Sequence, residues 1–263
     1  MKNTQNIKQL KITEKHKIII KQLIRFKYLN RIQIQKFLKH KQFNRVIVWL
    51  NELTKERYIA RDFERKFGNR PAIYCLDIKS KELLRKEFKL NPSEVRRVYQ
   101  DKHNSIKYKN HLVFLADIYL SLEKFCKTVN AKLTFYTKTE LNKTAFLIYP
   151  YPDSHFAIEN KNKNIKRYFL EIFDPSKNLK WPHKRIGQFF DYFDKEIWQS
   201  HTTKPFPEII LIANEEEDKI DLEKSIKKEL SKRINDVNFY LSSWEEIIIQ
   251  GMTSKALQKV EIE

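Results

Sequence analysis

The sequence predicts a two-domain protein of mixed α+β and α/β class, in which helices and a basic hairpin precede a mixed sheet flanked by helices. Its 263 residues are many for one domain and enough to give each of two domains a core. Hydrophobic residues make up 41% and aromatic residues 13%, which indicates folded domains rather than a disordered chain. The charge also divides the chain. Residues 1–110 contain 29 Lys and Arg against 10 Asp and Glu, whereas residues 111–263 contain 23 of each.

The net charge of +19 therefore belongs wholly to the first 110 residues. A basic module joined to a neutral domain is typical of proteins that bind nucleic acid. A generally lysine-rich composition is the alternative, but it would raise the lysine content of both parts of the chain. The distribution therefore predicts nucleic acid as a partner.

Several classes of protein are disfavoured by composition. The three glycines, Gly68, Gly187 and Gly251, cannot form a glycine-rich phosphate loop, so we expect no nucleotide cofactor. The apolar runs are too short to span a membrane, and the first residues lack the apolar core of a signal peptide, so we expect a cytoplasmic protein without membrane contact. The two cysteines, Cys75 and Cys126, lie in apolar contexts and are predicted to be buried free thiols.

The basic part begins with three predicted helices. Thr13 can cap the first, over residues 14–29, whose apolar residues recur at helical spacing. Asn30 can cap a short second helix, and the third runs over about 44–55.

Two strand-like segments, 58–63 and 72–76, follow and are joined by the basic segment 64–71, in which Gly68-Asn69 suits a hairpin turn. Three helices and a basic hairpin are the order of a winged helix-turn-helix, which places its third helix in the major groove of duplex DNA and its wing on the backbone or minor groove. We therefore interpret residues 1–92 as a DNA-binding domain. The alternative is a small helical domain with a solvated basic face. The predicted DNA-binding residues are Lys41, Gln42, Asn44 and Arg45 near the start of the third helix, and Arg61, Arg65, Lys66 and Arg70 in the wing.

A further helix is predicted over 79–90, and residues 93–110 are interpreted as a basic connector, helical in part. Residues 111–263 form the second predicted domain, with helices and strands in the order αβββαβαβ, which suggests a mixed sheet with helices on both faces. The predicted elements are a helix over 112–129, strands over 132–141, 144–158 and 168–173, a helix over 184–198, a strand over 207–213, a helix over 222–233 and a strand over 237–241.

Two acids in this domain stand where neighbouring strands would bring them together. Asp153 follows Pro152 at the start of one apolar segment, and Glu171 lies inside the next. Strand alternation puts Glu171 on the same face as Phe169 and Phe173, where a carboxylate is costly unless it is paired or bound to a metal. Two such carboxylates suit Mg²⁺, which prefers oxygen ligands.

The order of elements, Pro152-Asp153, Glu171 and the motif Gln188-x-x-x-Tyr192 resemble the PD-(D/E)XK restriction-endonuclease-like fold. The resemblance implies a core of helix, three strands, helix and strand, with Asp153 and Glu171 as ligands of a catalytic Mg²⁺ that would stabilise charge on a cleaved phosphodiester. His155 shares the face of Asp153. A role as a ligand or in proton transfer and a role in packing or hydrogen bonding are both open to it.

The sequence departs from that family at one position. Its E-x-K element requires a lysine at residue 173, and the sequence has Phe173. Lys184 shares a helical face with Gln188 and is the candidate to replace it, so that both would position the phosphate. Two interpretations stay open: an active Mg²⁺-dependent endonuclease or nickase, and a nuclease fold that has lost its chemistry and serves binding or assembly.

A wider set of short motifs runs along the chain: the helix 111–117, Glu140, Tyr151-Pro-Asp153, Phe169-Leu-Glu171, Lys184 and Tyr192. With these residues the chain resembles the replication-relaxation family of plasmid and mobile-element proteins over about residues 13–215. The resemblance implies a role in plasmid replication or DNA relaxation, double-stranded DNA as partner, and Glu140 as a further metal ligand. Whether the protein forms a homodimer stays open, and a non-enzymatic transcriptional regulator or replication initiator is the alternative function.

Overall fold

The computed structural model describes residues 10–63, 71–173, 180–233 and 237–261, apart from the Tyr99 side chain. The chain folds into two compact units, Met1–Val113 and Phe114–Glu263. Because no charged residue lies between positions 111 and 113, the whole net charge of +19 falls in the first unit.

The first unit consists of helices and a small antiparallel sheet. Its three N-terminal helices bury apolar stripes against one another and against the sheet, with residues such as Ile20, Leu23 and Val46 fully buried. The sheet has the order β1-β3-β2. The elements are α1 Glu14–Phe26, β1 Leu29–Asn30, α2 Arg31–Leu38, α3 Phe43–Lys55, β2 Ile59–Asp62, β3 Ile73–Leu76, α4 Ser80–Lys86 and α5 Pro92–Asp101.

Side-chain caps start the helices where the sequence predicts them. The Thr13 hydroxyl accepts the His16 backbone N–H at 3.4 Å, and Asn30 accepts the Gln33 backbone N–H at 3.0 Å. The first helix ends at Phe26, earlier than predicted, because Lys27 adopts a positive φ and the following residues pair with β3 as β1. Asn91 caps α5 in the same way, so most of the predicted connector 93–110 is helical.

The second unit is a six-stranded mixed sheet flanked by helices. The strand order is β4-β5-β6-β7-β8-β9; β5 runs antiparallel to β4 and β6, whereas β6, β7 and β8 are parallel. A helix, three strands, a helix and a strand follow one another as expected for a restriction-endonuclease-like core. The elements are α6 Ile106–Thr128, whose first residues belong to the first unit, β4 Lys132–Thr137, α7 Lys138–Leu141, β5 Ser154–Glu159, β6 Ile165–Ile172, α8 Lys180–Asp194, α9 Ile197–Thr202, β7 Glu208–Ala213, α10 Glu216–Leu230, β8 Phe239–Ser243, α11 Trp244–Gln250 and β9 Gln258–Lys259.

Two predicted strands are wrong in part. The strand predicted over 132–141 ends at Thr137, where a capping box with Glu140 starts the short helix α7. Residues 144–149 are not a strand either. Leu147 and Ile148 are apolar because they pack into the core beside α8, and the Tyr192 hydroxyl fixes this loop by donating to the Phe146 carbonyl at 3.0 Å.

Both cysteines are buried free thiols, as predicted. Burial raises the pKa of the Cys75 thiol to about 12 and also raises the pKa of Cys126, so neither is a reactive thiolate at neutral pH. Within the described residues, no helix combines the length and apolar character needed to cross a membrane.

Candidate functional site

The exposed face of α3 is the first candidate site. All four residues predicted near its start, Lys41, Gln42, Asn44 and Arg45, are exposed to solvent or partly so. The opposite face packs Val46, Trp49, Leu50 and Leu53 into the core. The helix therefore presents polar and basic side chains outward because its apolar stripe fixes which side faces the domain.

The exposed face extends further along α3 than the four residues predicted near its start. Val48, Asn51 and Lys55 are also exposed, and they continue from Asn44 at helical spacing. The only acid in the helix, Glu52, is drawn to α1 by His16, whose Nε2 lies 3.0 Å from its Oε2. Because the Thr13 backbone N–H donates to Nδ1 of His16, Nε2 carries the proton and donates to Glu52.

Arginine side chains connect the start of α3 to the small sheet. The Arg31 guanidinium lies 4.3 Å above the centre of the Phe43 ring at the start of α3. Arg61 of β2 pairs directly with Tyr74 of β3. Burial raises the pKa of Tyr74, and the cations of Arg61 and Arg31 oppose this shift. Arg61 is exposed and lies over the Phe63 ring, 5.4 Å from its centre. The other predicted wing residues, Arg65, Lys66 and Arg70, lie outside the described residues.

The second candidate site is the pair of acids in the large sheet. Ser154 pairs with Leu170, so extending the antiparallel register by one residue places Asp153 opposite Glu171. Directly opposite residues in such a ladder have Cβ atoms about 4.5–5.5 Å apart. Both side chains are buried, Asp153 with 5% and Glu171 with 2% of its surface exposed. The predicted convergence of the two acids is thus supported by the register of β5 and β6.

Each acid has a partner within the protein. The backbone N–H of Ile172 donates to Asp153 Oδ2 at 2.9 Å. Arg185 of α8 donates its Nε–H to Glu171 Oε2 at 3.0 Å, and the Arg185 side chain is fully buried. Gln188 accepts a hydrogen bond from Arg185 Nη1 at 3.1 Å, and the guanidinium also lies 4.6 Å from the centre of the Phe189 ring.

The structure therefore puts a different cation beside Glu171 from the one predicted. Lys184 is exposed on α8, whereas its neighbour Arg185 turns inward to the acid. The role predicted for Lys184 and Gln188, positioning a phosphate, stays a prediction; the cation that contacts Glu171 is Arg185. The helical spacing of the apolar residues of α8 could have indicated that Arg185 turns inward, because it shares a face with the buried residues Ile186, Phe189 and Phe190.

Glu140 is not a strand residue, and its carboxylate has another partner. It accepts the Thr137 backbone N–H at 2.8 Å and the Thr137 hydroxyl at 3.1 Å, as the reciprocal half of the cap of α7. Tyr192 is buried, and burial raises its pKa to about 12, which fits a core hydrogen bond and does not fit a nucleophile.

The residues around the acid pair do not fit Mg²⁺. The cation would require oxygen ligands from several directions, but Glu171 Oε2 already accepts a hydrogen bond from the guanidinium of Arg185. Among residues 10–63, 71–173, 180–233 and 237–261, no cluster of three His, Cys, Asp or Glu side chains has the arrangement of a metal site. The cation that contacts Glu171 in this structure is the guanidinium of Arg185.

His155 lies beside this region and has a packing role. Its ring contacts Trp198 and Phe169, with centroids 5.2 and 5.4 Å away, and stacks in parallel with Tyr136. Burial lowers its pKa to about 4, with Arg167 and Lys204 adding to the shift. The neutral ring is therefore part of an aromatic cluster at neutral pH.

Comparisons with known proteins add little to this picture. No family model matches the chain, and no curated protein matches it. The solved structure of the restriction endonuclease FokI matches 90% of this chain at 14% identity and a TM-score of 0.35. This chain spans 43% of that one. At such similarity the match carries no argument about function.

Proposed function

We propose that the protein binds double-stranded DNA through a winged helix formed by its N-terminal unit, with α3 in the major groove. The observation that carries the proposal is the exposed face of α3, which presents Asn44, Arg45, Asn51 and Lys55 while its only acid is held by His16. Asparagine and arginine are side chains that read base edges, and lysines and arginines bind phosphates.

The charge distribution supports the same proposal. The first unit holds the whole excess of +19, and the second unit is neutral. A basic unit attracts DNA at any sequence, and the polar face of α3 supplies the contacts that distinguish one sequence from another. Arg31, over Phe43 at the start of α3, and Arg61, in β2 opposite Tyr74, add to the positive charge of this unit.

In this proposal the sheet domain does not cleave DNA. Its two acids are satisfied by Ile172 and Arg185 and serve the stability of the core. The role implied by the resemblance, in replication or relaxation of plasmid or mobile-element DNA, belongs to the same proposal and rests on the residues that carry the resemblance. The proposal also includes a homodimer. It divides the chain into a DNA-binding domain over residues 1–92, a connector over residues 93–110 and a nuclease-like domain over residues 111–263.

A metal-dependent nuclease is the second candidate, and one observation favours it. The register of β5 and β6 places Asp153 opposite Glu171, as the predicted metal-binding acids of a restriction-endonuclease-like site would be. The Arg185 contact opposes it, since a guanidinium already occupies one oxygen of Glu171.

DNA binding by the full-length chain tests the first proposal. The affinity for a duplex, followed by fluorescence anisotropy at increasing salt, is expected to fall steeply because bound lysines and arginines release counterions. In the double variant Arg45→Ala/Lys55→Ala, the slope of log affinity against log salt is expected to decrease by about 1.8, since each lost phosphate contact removes about 0.9.

The matched control is Lys224→Ala/Lys228→Ala, which removes two lysines from α10 of the neutral unit. Its slope is expected to equal that of the wild type. Equal slopes for the α3 variant and this control, or no duplex binding at low salt, would contradict the proposal.

A further inference from the structure

A cavity of about 270 Å³ lies on the face of the large sheet that α6 covers. Neighbouring strands build its floor: Phe156 pairs with Tyr168, Tyr168 with Glu208, and Ile210 with Tyr240. These residues share one face because paired positions on adjacent strands point the same way. The cavity is therefore a feature of the sheet itself and lies wholly within the second unit.

The inner surface of the cavity is apolar. Phe156 and Ile210 of the floor are each 1% exposed, and Leu122 of α6 and Met252 of the C-terminal segment are each 3% exposed. Phe125 of α6 contributes to the wall and keeps 37% of its surface exposed, so it lies toward the opening. A ligand that enters would bury an apolar group here, at about 25 cal/mol for each Å² of apolar surface removed from water.

Glu208 supplies an anion within this apolar frame. It lies on the strand between Tyr168 and Tyr240 and faces both tyrosines. Burial raises the pKa of each tyrosine, and the neighbouring Glu208 carboxylate raises it further. Both hydroxyls therefore keep their protons at neutral pH and are directed to the carboxylate as donors.

Lys166 supplies a cation beside Glu208. Its Nζ lies 3.8 Å from Glu208 Oε1, which is long for a hydrogen-bonded ion pair, and 68% of its side chain is exposed against 20% for Glu208. Such a long pair with an exposed lysine is weak, so Lys166 can turn to a ligand at little cost. The Glu208 carboxylate accepts the two tyrosine hydroxyls and has further lone pairs that can accept from an ammonium group. Beside them, the Thr253 hydroxyl oxygen is buried and has no hydrogen-bond partner among the described residues.

One charge of each sign beside an apolar recess is complementary to a zwitterion with an apolar tail. We propose that this cavity binds a free apolar α-amino acid, with its ammonium group on Glu208, its carboxylate on Lys166 and its side chain between Phe125, Phe156 and Met252. A simple amine would leave Lys166 unmatched, and a simple acid would meet the carboxylate of Glu208. Pockets for small ligands commonly begin at about 300 Å³, so the site suits a single amino acid better than a larger molecule.

Isothermal titration of the full-length protein with L-phenylalanine tests this proposal. The matched probes are 2-phenylethylamine, which lacks the carboxylate, and 3-phenylpropionate, which lacks the ammonium group. L-phenylalanine is expected to bind, and each truncated analogue is expected to bind at least about tenfold more weakly, because each loses one charge contact. Equal binding of either analogue, or no binding of L-phenylalanine at about 1 mM, would overturn the proposal.

Two variants locate the site. Glu208→Gln and Lys166→Met are each expected to weaken L-phenylalanine binding about tenfold. Glu208→Gln is expected to bind L-phenylalanine no better than 3-phenylpropionate, because the contact to the ammonium group is lost. Lys166→Met is expected to bind L-phenylalanine no better than 2-phenylethylamine, because the contact to the carboxylate is lost. Glu217→Gln, at an exposed position of α10, is the control and is expected to bind as the wild type does. A thermal melt of each variant establishes that it is folded. Wild-type affinity in either folded cavity variant would place the ligand elsewhere and refute the assignment.

Discussion

Arg185 donates its Nε–H to Glu171 Oε2 at 3.0 Å beneath α8, with 0% and 3% of the two side chains exposed. This buried pair sits where the sequence suggests a metal-binding acid and a lysine. The charge of Glu171 is thus balanced from within the protein, by the guanidinium of Arg185.

Removing one partner of this pair leaves the other charge buried and unmatched. Arg185→Leu is expected to lower the free energy of unfolding by about 3–5 kcal/mol, measured by urea denaturation. The double variant Arg185→Leu/Glu171→Leu is expected to recover most of this loss, because both charges are then gone.

A matched control is Arg233→Leu. Arg233 also pairs with a glutamate, Glu229, and also lies over a phenylalanine ring, that of Phe190, but its pairs are partly exposed. Its loss of ion pairing is expected to cost no more than about 1 kcal/mol. If both variants lose a similar free energy of unfolding, the buried Arg185–Glu171 pair stabilises the fold no more than a partly exposed ion pair does.

Nicking of supercoiled DNA in the presence of Mg²⁺ or Mn²⁺ distinguishes the two functional candidates. We expect no metal-dependent nicking by the wild type, because Arg185 already neutralises Glu171. The informative variants are Asp153→Asn, which keeps an oxygen to accept the Ile172 N–H, and Glu171→Gln. Nicking by the wild type that both variants abolish would establish the nuclease and refute the non-enzymatic proposal.

The α3 residues are expected to divide into two kinds. Asn44→Ala and Asn51→Ala are expected to cost about 1–3 kcal/mol on a selected DNA site and much less on random duplex, because an asparagine amide reads a base edge. Lys55→Ala is expected to weaken binding to both by a similar factor, because it binds phosphate.

Competition binding with a selected site and a random duplex provides this measurement. Lys124→Ala, at an exposed position of α6 in the neutral unit, is the control for a lost lysine charge. If the asparagine variants lose equal affinity on both duplexes, α3 does not read bases and the major-groove placement is wrong.

His155 is expected to make the fold sensitive to acid. Burial lowers its pKa to about 4 in the folded chain, whereas an unperturbed histidine has a pKa near 6.5. The unfolded chain therefore binds more protons between these values, so the free energy of unfolding falls as the pH drops from about 6.5 toward 4. The full contribution is about 3 kcal/mol, present above pH 6.5.

His155→Phe removes this titration while keeping an aromatic ring beside Trp198 and Phe169. Urea denaturation between pH 7 and 4 is expected to show a flatter pH dependence for the variant. If the free energies of unfolding of wild type and variant depend on pH in the same way, the pKa of His155 is not lowered in the folded chain.

Local signals carried most of the fold prediction. The caps at Thr13 and Asn30 and the helical spacing of apolar residues located α1 and α2, because these interactions lie within a few residues of chain. Apolar residues at 144–149 misled the strand prediction, since burial against α8 and membership of a strand give the same composition. The end of β4 was missed because the Thr137–Glu140 cap reads as polar alternation within a strand.

At the candidate sites, the amino-acid sequence by itself determined the charge excess of the first 110 residues, the polar residues at the start of α3, and the place of Glu171 within one strand and of Asp153 just before another. These features follow from the composition of a segment and from the spacing of its apolar residues, and both can be read without knowing how distant parts of the chain pack together. The tertiary structure decided which cation meets Glu171. Lys184 and Arg185 are adjacent, and only the packing of α8 on the sheet turns Arg185 inward and leaves Lys184 in solvent. The cavity beside Glu208 was likewise invisible in the sequence, because its floor joins the consecutive strands β5 and β6 to β7 and β8, which lie much later in the chain.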